Sequence, residues 1–210
     1  MGGNTVHAYK TNPENGTLTG LQDFSPAEAG TGPRHAIITP SQSYFYLIEE
    51  EALRVEQFAL DPNSGLLSPT NVSLPVTPFG KVTMYNPVKL VLIWFVIIGL
   101  NPDNATEYWG DELVLSSSGN ILYASTRARN ASFPGYITGW FLDSDGSLVD
   151  NNTVPFVIQT PEAGGTSNIL TTSPWDDKSK DMIILTDQDT GFVALYEMQD
   201  LNLVLLDRVK

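Results

Sequence analysis

One pattern recurs along the chain. A short strand of alternating character runs into a turn built from Asn or Asp with Pro or Gly, and a new strand follows. Val6-His7-Ala8-Tyr9 leads into Asn12-Pro13-Glu14-Asn15-Gly16. Val55-Glu56-Gln57-Phe58 leads into Asp61-Pro62-Asn63-Ser64-Gly65, and Ile137-Thr138-Gly139-Trp140 into Asp143-Ser144-Asp145-Gly146. A looser copy starts at Val193-Ala194-Leu195-Tyr196. Asx, Pro and Gly between apolar alternations are hairpin signals. A second unit alternates with the first: Ala36 to Leu47, Leu113 to Ala124 and Asn168 to Thr186 each read as strand, polar turn, strand. No segment sustains a capped helical period, so the fold class is all-β.

The spacing narrows this further. Val6 to Val55 is 49 residues and Ile137 to Val193 is 56. Periods of about 40–50 residues with four strands each point to propeller blades; the competing reading is a β-sandwich with similar hairpins. Four recurring units make about three to four blades, so a partial β-propeller is expected. The opening on a mid-blade strand leads us to expect that an upstream half, and the true N-terminus, are missing. The middle spacing, Val55 to Ile137, is 82. The excess holds a run of nine apolar residues, Leu90 to Ile98, too short to span a membrane as a helix. It reads either as a fully buried strand or as a segment foreign to a single 1–210 domain, spanning 81–99, such as a retained intron translated in frame.

The chain carries a formal net charge of -13. A surface this acidic repels phosphate backbones and anionic lipid, so neither nucleic acid nor a membrane is an expected partner. The 17% charged content and 41% apolar content are those of a globular protein. With no cysteine, disulfides, thiolate metal sites and Cys nucleophiles are excluded. Two separated histidines and scattered carboxylates lack ligand spacing, so no metal and no cofactor are expected. Five Asn-x-Ser/Thr sequons, at Asn15, Asn71, Asn104, Asn130 and Asn151, lean toward secretion. The lack of cysteine leans toward the cytoplasm, which is the expected compartment.

Chemistry concentrates on one hairpin. Gly32-Pro33-Arg34-His35 enters it, Thr39 to Ser43 turns it, and Glu49-Glu50-Glu51 leaves it. Antiparallel strands return to where they began, so a cation pair and carboxylates share one edge. That arrangement can set an acid, a base and an anion clamp around one small molecule.

Gly32-Pro33-Arg34-His35-x-x-x-x-Pro40, Tyr44-x-Tyr46-x-x-x-Glu50 and Asp61-Pro62-x-x-Gly65 together resemble the lactonase family of seven-bladed β-propellers, which includes 6-phosphogluconolactonases and fungal carboxy-cis,cis-muconate cyclases. Glu107-Tyr108-Trp109-Gly110-Asp111-Glu112, Leu122 to Arg127, Gly135-Tyr136-Ile137 and Gly164-Gly165-Thr166-Ser167-Asn168 extend the resemblance over most of the chain outside 81–99, with a fungal-cyclase flavour. The resemblance implies that Arg34, Glu50 and Arg127 are catalytic, with His35 a substrate-binding candidate. No residue matches the family's upstream histidine.

The implied activity is an intramolecular lyase, or isomerase, that lactonises a small polyanionic substrate. The alternatives are a lactone hydrolase such as a 6-phosphogluconolactonase and an inactive fragment serving as a binding scaffold. Each residue also has a plainer reading. Arg34 could be a turn arginine and Glu50 part of a solvated acidic face, with Glu49 or Glu51 as the acting carboxyl. Arg127 could be a strand-end ion pair interchangeable with Arg129, and His35 a strand-start hydrogen-bonder. Asp111 and Glu112 are expected at most to orient the Arg127 loop.

Overall fold

In the computed structural model, residues 4–26, 28–77, 107–151, 156–162, 168–173, 180–199 and 202–210 are described. Fourteen strands form one two-stranded and three four-stranded antiparallel sheets among them. Strands β1 (Val6–Thr11) and β2 (Leu18–Phe24) pair alone. The first four-stranded meander is β3 (Pro33–Ile38), β4 (Tyr44–Glu49), β5 (Arg54–Leu60) and β6 (Leu67–Pro75). The second is β7 (Tyr108–Leu115), β8 (Ile121–Ala128), β9 (Tyr136–Phe141) and β10 (Phe156–Gln159). The third is β11 (Leu170–Thr172), β12 (Met182–Asp187), β13 (Phe192–Gln199) and β14 (Asn202–Val209). This is a partial β-propeller of three blades and one further hairpin. The 81–99 run lies outside the described residues.

The turns form as their residues dictate. Asn12, Asp61 and Asp145 each accept, through a side-chain oxygen, the backbone N–H two residues on, which closes an Asx turn. Gly146 sits at φ +84° and carries its turn onto the first blade: a Cβ there would lie 2.6 Å from Thr39. Its carbonyl accepts a 2.8 Å hydrogen bond from the buried Tyr46 hydroxyl.

The core lies between sheets. Tyr46, Ile48, Val55 and Leu74 of the first blade pack with Leu122, Tyr136 and Trp140 of the second. The other face of the second blade, through Ile121, Tyr123 and Ile137, packs with Leu170, Ile183, Leu185 and Tyr196 of the third. Phe58 and Leu67 are covered by Val6 and Phe24 of the lone hairpin. Strands covered on both faces lose polar alternation, which is why β8 is buried nearly end to end. Tyr44 and Phe45 are partly buried against these clusters, and Phe141 packs on the second.

The first strands of successive blades stand side by side, β3 next to β7 and β7 next to β11. Their leading ends carry the site. Among the described residues, no helix is long and apolar enough to cross a membrane.

Candidate functional site

Two β-bulges build the site. In β3, Pro33 pairs with Glu49 and Ala36 with Leu47, so Arg34 and His35 together face the single residue Ile48. In β7, Gly110 pairs with Thr126 and Leu113 with Ala124, so Asp111 and Glu112 together face Ser125. A bulge bends its strand and re-aims the extra side chain. Here both bulges fall at the same height on neighbouring strands, and Arg34 and His35 meet the carboxylates of Asp111 and Glu112.

Asp111 is the centre. Its side chain is wholly buried, with Arg34 Nη2 at 3.0 Å and Arg127 Nε at 3.7 Å from the same oxygen, Oδ1. Arg34 also donates through Nη1 to the Asp111 carbonyl and lies 3.4 Å from Glu112 Oε1. Burial pushes the Asp111 carboxyl from its ordinary 3.8 up to about 6; Arg34 and Arg127 pull against it, while Glu112 and Glu50 reinforce it. Desolvation therefore outweighs two guanidiniums.

Glu50 closes the other side. It donates its backbone N–H to the Gly32 carbonyl at 2.8 Å, and its own carbonyl accepts the Gly110 N–H at 2.8 Å. Gly110 permits that approach, because a Cβ there would stand 2.9 Å from the Glu49 carbonyl. The Glu50 carboxylate then accepts a 2.7 Å bond from Arg127 Nη2 and remains 29% exposed. Opposite Arg127 in the ladder is Trp109, whose ring centroid lies 5.1 Å from the Arg127 guanidinium and 4.3 Å from that of Arg129. A guanidinium over an indole face is attracted by the ring quadrupole and held in orientation.

The acidic run Glu49-Glu50-Glu51 sorts into three destinations. Glu49 is buried and bonded to Arg54; burial raises its carboxyl above the ordinary range, against hydrogen bonds from Thr31 and Arg54. Glu51 accepts from the Trp109 indole N–H at 3.1 Å and pairs with Arg129. Glu50 reaches Arg127. His35, half-exposed, lies 3.3 Å from Glu112 Oε1 through Nε2.

The structure thus brings Arg34, Glu50 and Arg127 into one cluster, with His35 at its rim. It adds Asp111 at the middle, where the sequence suggested only a loop-orienting part. The signal was the pairing of Pro33-Arg34-His35 with Gly110-Asp111-Glu112 as matching bulges, which alternation alone does not reveal. Among the described residues no cluster of three or more His, Asp or Glu could hold a metal ion. The cluster is chemically suited to anion binding and proton transfer: two planar forks that match carboxylates, a part-exposed carboxyl, and a buried carboxyl between the forks.

The sequence profile described as "Lactonase, 7-bladed beta-propeller" matches residues 1–203. The chain belongs to this lactonase family. It is 28% identical over 184 residues to the carboxy-cis,cis-muconate cyclase of Neurospora crassa, a match covering 87% of this chain and 44% of that protein. It is 25% identical over 196 residues to muconate cycloisomerase 1 of Cutaneotrichosporon cutaneum, covering 93% of this chain and 46% of that one. The chain therefore spans less than half the length of these two relatives. The solved periplasmic gluconolactonase of Pseudomonas aeruginosa superposes with a TM-score of 0.63 at 18% identity, covering 98% of this chain and 48% of that structure; at that identity the likeness is one of fold.

Proposed function

We propose that this lactonase-family chain carries the arginine cluster of a lactone-forming enzyme of the carboxy-cis,cis-muconate cyclase type, acting on a small polyanionic acid. The observation that carries the reading is the convergence of Arg34 and Arg127, from adjacent blades, on the buried Asp111 carboxyl. The 28% identity to a carboxymuconate cyclase supports the choice of substrate class.

In this reaction one substrate carboxylate oxygen forms a C–O bond to an alkene carbon. The π pair moves into the conjugated carboxylate as an enolate, and a carbon then accepts a proton, so the product is an isomer. Arg34 and Arg127 bind substrate carboxylates and stabilise the enolate; a preorganised donor of this kind contributes about 3–4 kcal/mol in the transition state. Arg127 leaves Glu50 for the substrate. Glu50, beside the bound anion, serves as the general acid that delivers a proton to carbon. Asp111, out of solvent behind both guanidiniums, sets their spacing. His35 at the rim is placed to meet a further carboxylate.

Hydrolysis of an anionic lactone, with Glu50 activating water, is the second reading, favoured by the family's own description. Incubation with 3-carboxy-cis,cis-muconate, following diene absorbance, separates the two. Loss of absorbance supports cyclisation. Unchanged absorbance with hydrolysis of 6-phosphogluconolactone supports the hydrolase, and neither activity supports a binding scaffold.

A further inference from the structure

The three first strands share one register. Thr39, Ser116 and Ser173 each donate a backbone N–H to the first residue of the following strand, at Tyr44, Ile121 and Met182. Counting back, Ala36, Leu113 and Leu170 pair with Leu47, Ala124 and Leu185. Two residues earlier stand Arg34, Asp111 and Asn168. The Glu112 N–H donates to Ser125 Oγ at 3.2 Å, and at the matching place the Ile169 N–H donates to Thr186 Oγ1 at 2.9 Å. Asn168 is therefore the third-blade counterpart of the two residues at the heart of the cluster.

Asn168 differs from them in carrying no charge, so no ion pair like that of Arg34 with Asp111 engages it. It is 3% exposed, yet among the described residues neither its amide nitrogen nor its amide oxygen has a hydrogen-bond partner. A buried amide left unpaired is destabilising, and in a native protein such a group needs a physical explanation, of which a bound ligand is one. Arg34 and Arg127 provide two guanidiniums. A third carboxylate of a tricarboxylic substrate needs a donor that adds no further charge to pair, and a primary amide supplies it.

We propose that Asn168 is a specificity-determining residue whose Nδ2 donates to the third carboxylate of a tricarboxylate and so favours tricarboxylic over dicarboxylic substrates. This rests on the proposed function above and names its substrate class more narrowly. The probes are butane-1,2,4-tricarboxylate and adipate, saturated acids that cannot cyclise and differ by the one carboxylate. Binding is measured by titration calorimetry on the native chain, Asn168→Ala, Asn168→Asp and Arg127→Met, with circular dichroism to verify folding. The native chain is expected to prefer the tricarboxylate by about tenfold, the value of one hydrogen bond to a charged group. Asn168→Ala should lose that preference with adipate affinity unchanged. Asn168→Asp, nearly isosteric, should bind the tricarboxylate more weakly than Asn168→Ala. A native chain without the preference overturns the inference, as does an equal weakening of both ligands, or of neither, in both Asn168 variants. If Arg127→Met still loses binding in that case, the two-arginine site stands without Asn168. If Arg127→Met binds like the native chain, the site itself is misassigned.

Discussion

Arg34 and Asp111 occupy equivalent bulge positions in neighbouring strands, and their side chains meet at 3.0 Å across the blade boundary. A cation from one blade is thereby held by a buried carboxyl from the next. Repeat geometry alone would put like positions at like heights. The sequence difference at that height, Arg in one blade and Asp in the next, turns a stack into an ion pair.

Removing either guanidinium should remove transition-state stabilisation. Arg34→Met and Arg127→Met are each expected to lower kcat/KM for cyclisation by about 10²–10³. Arg127→Lys should fail to restore it, because an ammonium cannot present two parallel donors to a carboxylate. Steady-state kinetics with 3-carboxy-cis,cis-muconate checks both.

Asp111 should leave a signature in stability against pH. Its carboxyl is raised from 3.8 to about 6 in the folded chain. Between those values the native state keeps a proton that the unfolded state has released, so stability falls as pH rises through this window and levels off above it. Raising this carboxyl from 3.8 to about 6 corresponds to about 3 kcal/mol. Urea unfolding at pH 4 and pH 7 should show a smaller difference in Asp111→Asn than in the native chain. An identical difference would remove Asp111 as the source.

Trp109 lies against both Arg127 and Arg129, so its effect should reach substrate through orientation. Trp109→Leu is expected to raise KM by about two- to thirtyfold, the span of one cation–π contact, with a smaller change in kcat. A change in kcat alone would contradict this.

Gly146→Ala tests the docking of the second blade's turn on the first. It forces a side chain into φ +84° and to within 2.6 Å of Thr39. A cost of about 1–3 kcal/mol is expected, or a fall of roughly 2–12 °C in Tm for a chain of this size, read by thermal denaturation.

The sequence carried the hairpins because their information is local. Asn12, Asp61 and Asp145 cap turns within two residues of themselves, and strand alternation did the rest. It also carried Arg34, Glu50 and Arg127 as candidates, through family resemblance. It did not carry their contacts. The 2.7 Å bond between Glu50 and Arg127 depends on the Gly110 N–H reaching the Glu50 carbonyl across two blades, a tertiary fact. The sequence suggests for Asp111 only a loop-orienting part; its central place depends on a bulge, which shifts the side-chain period by one and which alternation does not reveal. Asn168 sat in a Gly-rich tract whose likeness to fungal members gave it no role. Its place emerges only when the three first strands are set in register.

A double-mutant cycle on Arg34 and Arg127 tests most directly whether the two act on one bound anion. The quantity measured is kcat/KM for cyclisation of 3-carboxy-cis,cis-muconate in the native chain, Arg34→Met, Arg127→Met and the double variant. The expected result is a double-variant loss smaller than the sum of the single losses by at least about 1 kcal/mol, as for two groups sharing a partner. Losses that add to within about 0.3–0.5 kcal/mol would mean independent arginines and would contradict a shared site.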